Sequence, residues 1–330
     1  MKMWKQVASV TLAWSVGAAA ALAQGLPGPV VDSAWLAANL DKVQVVDVRG
    51  NVKSYVTEPE FETDAKSGKK MLSEVGGHIA NSALIAMKTM RTERKVGDMT
   101  VKYMIPEKAA FEKLIQDAGV QADKPIVLVP VGAEVTDVDD ALRVYWQFKV
   151  YGEDNIAVLD GGMAGWLGEG RPYVVEAAAA KGGSWVARAD RSAQYMASSE
   201  DVAKAIADKK ASLIDSRDAR QFNGLSKRDY VSAYGHLEGA KLFSPELMTK
   251  TSGGAVKFMS ANTYRALMSA QGIDPAAPSI SYCNSGHLSS GPWFLMSEVL
   301  GNKEAKLYDG SLHEWTVVNK QTLVGAVPLN

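Results

Sequence analysis

Cys283 is the sole cysteine in this 330-residue sequence. A single thiol excludes an intramolecular disulfide and a thiolate zinc cluster, leaving inert packing, an intermolecular link or a reacting group. Its setting favours the last. Cys283-Asn284-Ser285-Gly286-His287-Leu288-Ser289 follows the short apolar run Ser279–Tyr282 and precedes a helical stretch, expected over 290–300, with Pro292 early and Gly301 at its end. Small, flexible residues between a strand and a helix let several backbone N–H groups converge on one point. Such a cradle stabilises a thiolate, and equally an anion bonded to its sulfur.

The elements that would hold this loop come in two copies. Val45-Val46-Asp47-Val48-Arg49 pairs with Leu213-Ile214-Asp215-Ser216-Arg217, and Gly77-His78-Ile79 with Gly235-His236-Leu237. Phe111, Leu114, Ile115 and Gly119 match Tyr264, Leu267, Met268 and Gly272. That spacing predicts an amphipathic helix ending at a left-handed glycine in each copy. Strands follow at Ile126–Val129 and Ser279–Tyr282, each after a proline. Asp160-Gly161-Gly162 with Trp166 then matches Asp309-Gly310-Ser311 with Trp315. The separation between matched positions falls slowly and in order, as expected of a duplicated domain whose first copy has longer loops. The copies span residues 30–170 and 195–330, joined by a linker at 171–194. Ser198 and Asp201 predict a capped helix at Ser199–Asp208. Short apolar strands alternating with helices make each copy an α/β domain with a mainly parallel sheet flanked by helices.

The duplication is an internal control. Residues kept in both copies serve the fold first: His78 and His236, Asp47 with Arg49, Asp215 with Arg217, Trp166 and Trp315. Cys283 is not kept. Its counterpart is Pro130, followed by a more acidic loop, so the first copy reads as a scaffold without a nucleophile. The extra residues between Asp47 and His78 read as a longer loop.

In this order, doubled, these motifs resemble tandem-domain rhodanese-like sulfurtransferases of the thiosulfate sulfurtransferase type, over essentially the whole chain after residue 23. The resemblance implies a five-stranded parallel sheet in each domain, an inactive first domain and a persulfide-forming Cys283. It places the loop amides on Asn284, Ser285, Gly286, His287, Leu288 and Ser289. The implied reaction takes the outer sulfur of thiosulfate, or of a related donor, and hands it to a thiol or cyanide in two half-reactions, with no metal or organic cofactor. Three departures concern the substrate. Thiosulfate-specific members carry Arg or Lys in the loop, whereas here it has only His287, which is partly charged near neutral pH. Mercaptopyruvate users carry Gly after the cysteine and a hydroxyl at the sixth loop position, here Asn284 and Leu288. The family's substrate arginine precedes an aromatic, here Gln221 before Phe222, leaving Arg220, Lys227 and Arg228 as candidates for the missing positive charge. A phosphatase of related fold needs Arg at position 289, which is Ser289. The alternatives are a carrier or binding protein holding a persulfide for an exported redox protein, and a mercaptopyruvate sulfurtransferase.

Charge and composition fit this reading. Thirty-six basic against 37 acidic residues leave no field for nucleic acid. Residues 1–23 read as a secretory signal: Lys2 and Lys5, an apolar run, then Ala21-Leu22-Ala23, with Gln24 opening the mature chain. The run is about 15 residues, short of the roughly 20 a bilayer needs. The expected location is periplasmic or secreted, with no membrane span once the signal is cleaved.

Overall fold

The computed structural model describes residues 25–63, 65–66, 68–177 and 182–328. The expected signal segment lies outside them, as do residues 178–181 of the expected linker. Val30–Val31, Gln44–Arg49, Ala83–Ala86, Ile126–Val129 and Ile156–Leu159 form one sheet. Met196–Ala197, Ser212–Asp215, Lys241–Leu242, Ser279–Tyr282 and Ala305–Tyr308 form another. Every neighbouring pair in both is parallel, and both run in the order first, fifth, fourth, second, third. The central strands Ile126–Val129 and Ser279–Tyr282 are buried along their whole length, as parallel strands covered on both faces must be.

The repeated motifs hold equivalent places. Arg49 pairs with Asp47 at 2.5 Å and donates to Gly77 O, while Arg217 pairs with Asp215 at 2.6 Å and donates to Gly235 O. Each guanidinium thereby ties the end of the second strand to the glycine before the histidine. His78 stacks on Tyr55 and His236 on Phe222, and each uses Nδ1 on that aromatic residue's carbonyl at 2.8 Å. The indoles of Trp166 and Trp315 donate to Pro172 O and Thr322 O. Helices Lys108–Asp117 and Ala261–Ala270 bury Phe111 with Ile115 and Tyr264 with Met268; Gly119 and Gly272 follow at positive φ. Helix Ser199–Asp208 opens on the Ser198–Asp201 capping box. The segment between Asp47 and His78 is more than a long loop: Glu60–Thr63 and Lys70–Glu74 pair as an antiparallel hairpin.

The two copies share one core. Helix Val135–Val150 packs between its own sheet and the segment Ser290–Phe294 of the second copy. Val138, Leu142 and Tyr145 join Met248, Trp293 and Phe294 in a single buried cluster, with Tyr145 and Phe294 edge to face at 4.9 Å. The copies also exchange contacts. After hairpin Thr92–Val96/Met99–Met104, the Ile105 amide donates to Asp309 Oδ2. After hairpin Lys250–Ser252/Ala255–Lys257, the Phe258 amide donates to Asp160 Oδ1. Both distances are 2.8 Å. Each hairpin thus delivers chain to the Asp-Gly turn of the other domain, beside the loop that follows its fourth strand.

Candidate active site

Cys283 ends the central strand Ser279–Tyr282, and only 1% of it is exposed. Its carbonyl accepts from Leu312 N, and that of Asn284 from His313 N. In the first copy Pro130 O and Val131 O accept from Met163 N and Ala164 N, so Cys283 and Pro130 are structural counterparts. The loop turns at Gly286, φ 73°, where a Cβ would collide with the Asp309 carbonyl. Ser311 fixes this turn from below: its Oγ accepts from Cys283 N at 3.1 Å and from Gly286 N at 3.0 Å, and donates to Tyr308 O. The amide of Gly286 is therefore engaged by Ser311, a correction to its expected place among the cradle donors. Among the described residues, the amides of Asn284, Ser285, His287, Leu288 and Ser289 have no acceptor. A short helix follows at Ser290–Phe294, passing into a wider turn at Leu295–Val299 with Gly301 at φ 80°.

The first domain is not a passive scaffold; it brings four ionisable side chains to this loop and the helix that follows it. Arg91, just before the first-domain hairpin, donates through Nη2 to Ser285 O at 2.8 Å and to Ser285 Oγ at 2.6 Å. Its Nη1 lies 3.4 Å from His287 Nδ1, and its guanidinium stacks on Tyr103. Arg143, fully buried, pairs with Asp309 at 2.6 Å and donates to Gly286 O at 2.8 Å. Asp140 Oδ1 lies 3.0 Å from His287 Nε2. Asp139 is buried against Gly291, and neither of its carboxyl oxygens has a hydrogen-bond partner among the described residues. Burial, then the nearness of Cys283 and Asp140, hold its carboxyl well above the usual carboxylate range.

His287 is not the loop's cation. Burial lowers its imidazole below the ordinary value; the Asp140 hydrogen bond opposes this, and Arg91 and Arg143 reinforce it. A neutral ring donating from Nε2 to Asp140 leaves Nδ1 as an acceptor facing Arg91. Of the other basic candidates, Arg220 and Arg228 are exposed, and Lys227 Nζ donates to Val231 O. No hydrogen bond or ion pair joins these three to the cysteine loop among the described residues. Gln221 reaches it instead: Asn284 Nδ2 donates to Gln221 Oε1 at 2.8 Å, and Gln221 Nε2 is held by Asp218. Ser311 was detectable in sequence, because the first copy has Gly162 in its place. Arg91, Asp139, Asp140 and Arg143 carry no such signal, since their proximity to Cys283 arises only when the domains dock.

Comparison with known proteins agrees with this architecture. The rhodanese-like domain model matches twice, over residues 32–169 and 198–317. The thiosulfate sulfurtransferase of Bos taurus is 30% identical over 223 residues, 64% of this chain and 69% of that one. The sulfur carrier protein TtuD of Thermus thermophilus is 28% identical over 303 residues, 88% of this chain and 94% of that one. Among solved structures, SseA of Escherichia coli, described as a 3-mercaptopyruvate sulfotransferase, superposes with a TM-score of 0.67 at 22% identity, covering 86% of this chain and 98% of its own. Two domain matches in one chain, on two sheets of identical strand order, make this protein a tandem-domain member of the rhodanese sulfurtransferase family.

Proposed function

We propose that the chain moves sulfane sulfur from thiosulfate, or a similar small anion, through a persulfide on Cys283 to a thiophilic acceptor, and that it acts outside the cytoplasm in a form beginning at Gln24. The observation that carries the reading is a buried thiol at the start of a loop in which five amides have no acceptor among the described residues. The Cys283 thiolate attacks the outer sulfur of thiosulfate. The new S–S bond forms as the old one breaks, and sulfite leaves with the electron pair. The free amides of the loop would act as fixed dipoles that stabilise the terminal persulfide anion without reorganising. Cyanide or a thiolate then takes the outer sulfur and returns the Cys283 thiolate. A small anionic donor suits a thiol this buried. Asn284 and Leu288, in place of glycine and a hydroxyl, argue against mercaptopyruvate.

A two-step transfer through one enzyme-bound sulfur gives ping-pong kinetics. With thiosulfate and cyanide varied together, reciprocal plots should be parallel, and Cys283→Ser should form no thiocyanate while keeping the wild-type unfolding midpoint. Intersecting plots, or turnover by the serine variant, would refute the mechanism. The likeness to a sulfur carrier protein supports a second reading, in which the persulfide is held for a protein acceptor. Persulfide that forms with thiosulfate yet resists cyanide and small thiols would favour that carrier.

A further inference from the structure

The cysteine loop, residues 283–289, has no Arg or Lys of its own, and burial lowers the imidazole of its one histidine. The first domain brings a cation to it. Every hydrogen-bond acceptor that Arg91 meets is neutral: Ser285 O and Oγ, His287 Nδ1 and Tyr103 O. The other charges at the loop are matched or held neutral. Arg143 has Asp309 at 2.6 Å, and Asp140 has His287. Among the described residues no carboxylate lies within ion-pair distance of Arg91. A partly buried guanidinium without a counter-ion is costly to hold. Yet its position is over-determined: Tyr103 stacks beneath it at 4.7 Å, and Tyr103 itself, at φ 67°, packs against Tyr230 of the second domain. The chain thus fixes a positive charge, with no ion-pair partner among the described residues, at Ser285, two residues along the loop from the thiol.

We propose that Arg91 is the donor-binding residue of this site, and that it selects dianionic sulfane-sulfur donors ending in a sulfo group by supplying from the first domain the cation the loop lacks. This deepens the sulfurtransferase reading and rests on it. A planar guanidinium fork fits two oxygens of such a group. In the ground state the fork is parked on Ser285. The anionic donor completes its coordination, and sulfite leaves past the same charge. Electrostatic coupling between Arg91 and Cys283 supports their nearness. The first domain then sets donor choice, while the second holds the nucleophile.

The test compares thiosulfate, a dianion, with benzenethiosulfonate, a monoanion with the same reacting S–S bond that releases sulfinate. The full chain is used as wild type, Arg91→Gln and Arg91→Lys, with thermal unfolding as the folding control. Arg91→Gln should raise KM for thiosulfate roughly ten- to hundredfold, the worth of a charge-assisted contact, with kcat within a few fold of wild type. The rise should be several-fold smaller for the monoanion, and Arg91→Lys should recover part of it. The salt dependence of kcat/KM for thiosulfate should flatten in Arg91→Gln. An unchanged KM overturns the inference. So do equal losses with both donors and unaltered salt dependence, which would make Arg91 a brace for the loop. If the wild type forms no persulfide from either donor, the sulfurtransferase reading itself fails, and that outcome needs no variant to be seen.

Discussion

Ser311 shows how a single substitution between copies carries function. It adopts φ 48°, a backbone region that favours glycine, and its counterpart in the first copy is Gly162, φ 55°. The strain is retained because the hydroxyl holds the amides of Cys283 and Gly286. Replacing it separates the two effects. Ser311→Gly relieves the backbone but leaves two buried donors unmet, at about 1–3 kcal/mol each. Ser311→Ala keeps the strain as well and should be about 1 kcal/mol less stable than the glycine variant. Both should slow sulfite release about tenfold as the loop loses its shape. Urea unfolding and rapid-mix sulfite assays measure this; an alanine variant more stable than the glycine variant would contradict it. At this scale the sequence was legible in part where two copies could be compared. Cys283 against Pro130 marked the thiol, whereas Ser311, opposite Gly162, passed as part of a repeated motif and its support of the thiol loop emerged only in the structure. His287 was misjudged because its charge depends on burial and on Arg91 and Arg143, which its neighbours in sequence do not reveal.

Among the elements, the paired strands, the two helices ending in glycine and the capped helix Ser199–Asp208 follow from local patterning and caps, and so were readable. The turn after the last strand was not. There the short helix Ser311–His313 passes into the wider turn Glu314–Val318 and buries Glu314 beside Gly310 and Tyr308. Burial pushes the Glu314 carboxyl from 4.5 up to about 7; Asp309 and Glu200 add to the rise, and the nearby hydroxyls of Ser199 and Tyr308 oppose it. Its folded value is thus above its unfolded one, so the folded state binds the extra proton. The stabilisation is complete below about pH 4.5 and is lost as pH rises through about 7. Glu314→Gln should remove roughly 2 kcal/mol of that pH dependence, flattening unfolding free energy between pH 5 and 8. A variant with the wild-type slope would show that Glu314 does not titrate in this window.

On the scale of the whole molecule, duplication gave each sheet its order, and docking then made the copies unequal. Reciprocal hairpins carry Ile105 to Asp309 and Phe258 to Asp160, yet only one of the two loops so reached holds a thiol. The other domain turned its helix Val135–Val150 and residue Arg91 toward that thiol. Its acidic character was visible in sequence, but its destination was not, because contacts of Asp139, Asp140 and Arg143 span more than a hundred residues. Basic residues near the Asp-x-Arg motif drew attention for the opposite reason: they are close in sequence, and two of them point to solvent. The central claim is that this doubled scaffold has one reacting sulfur site. Intact-mass and peptide mass spectrometry after thiosulfate treatment, with sulfite measured in the same sample, tests it most directly. The account predicts one added sulfur per chain, located on Cys283, and one equivalent of sulfite. No added sulfur, or sulfite released by the Cys283→Ser chain, would contradict it.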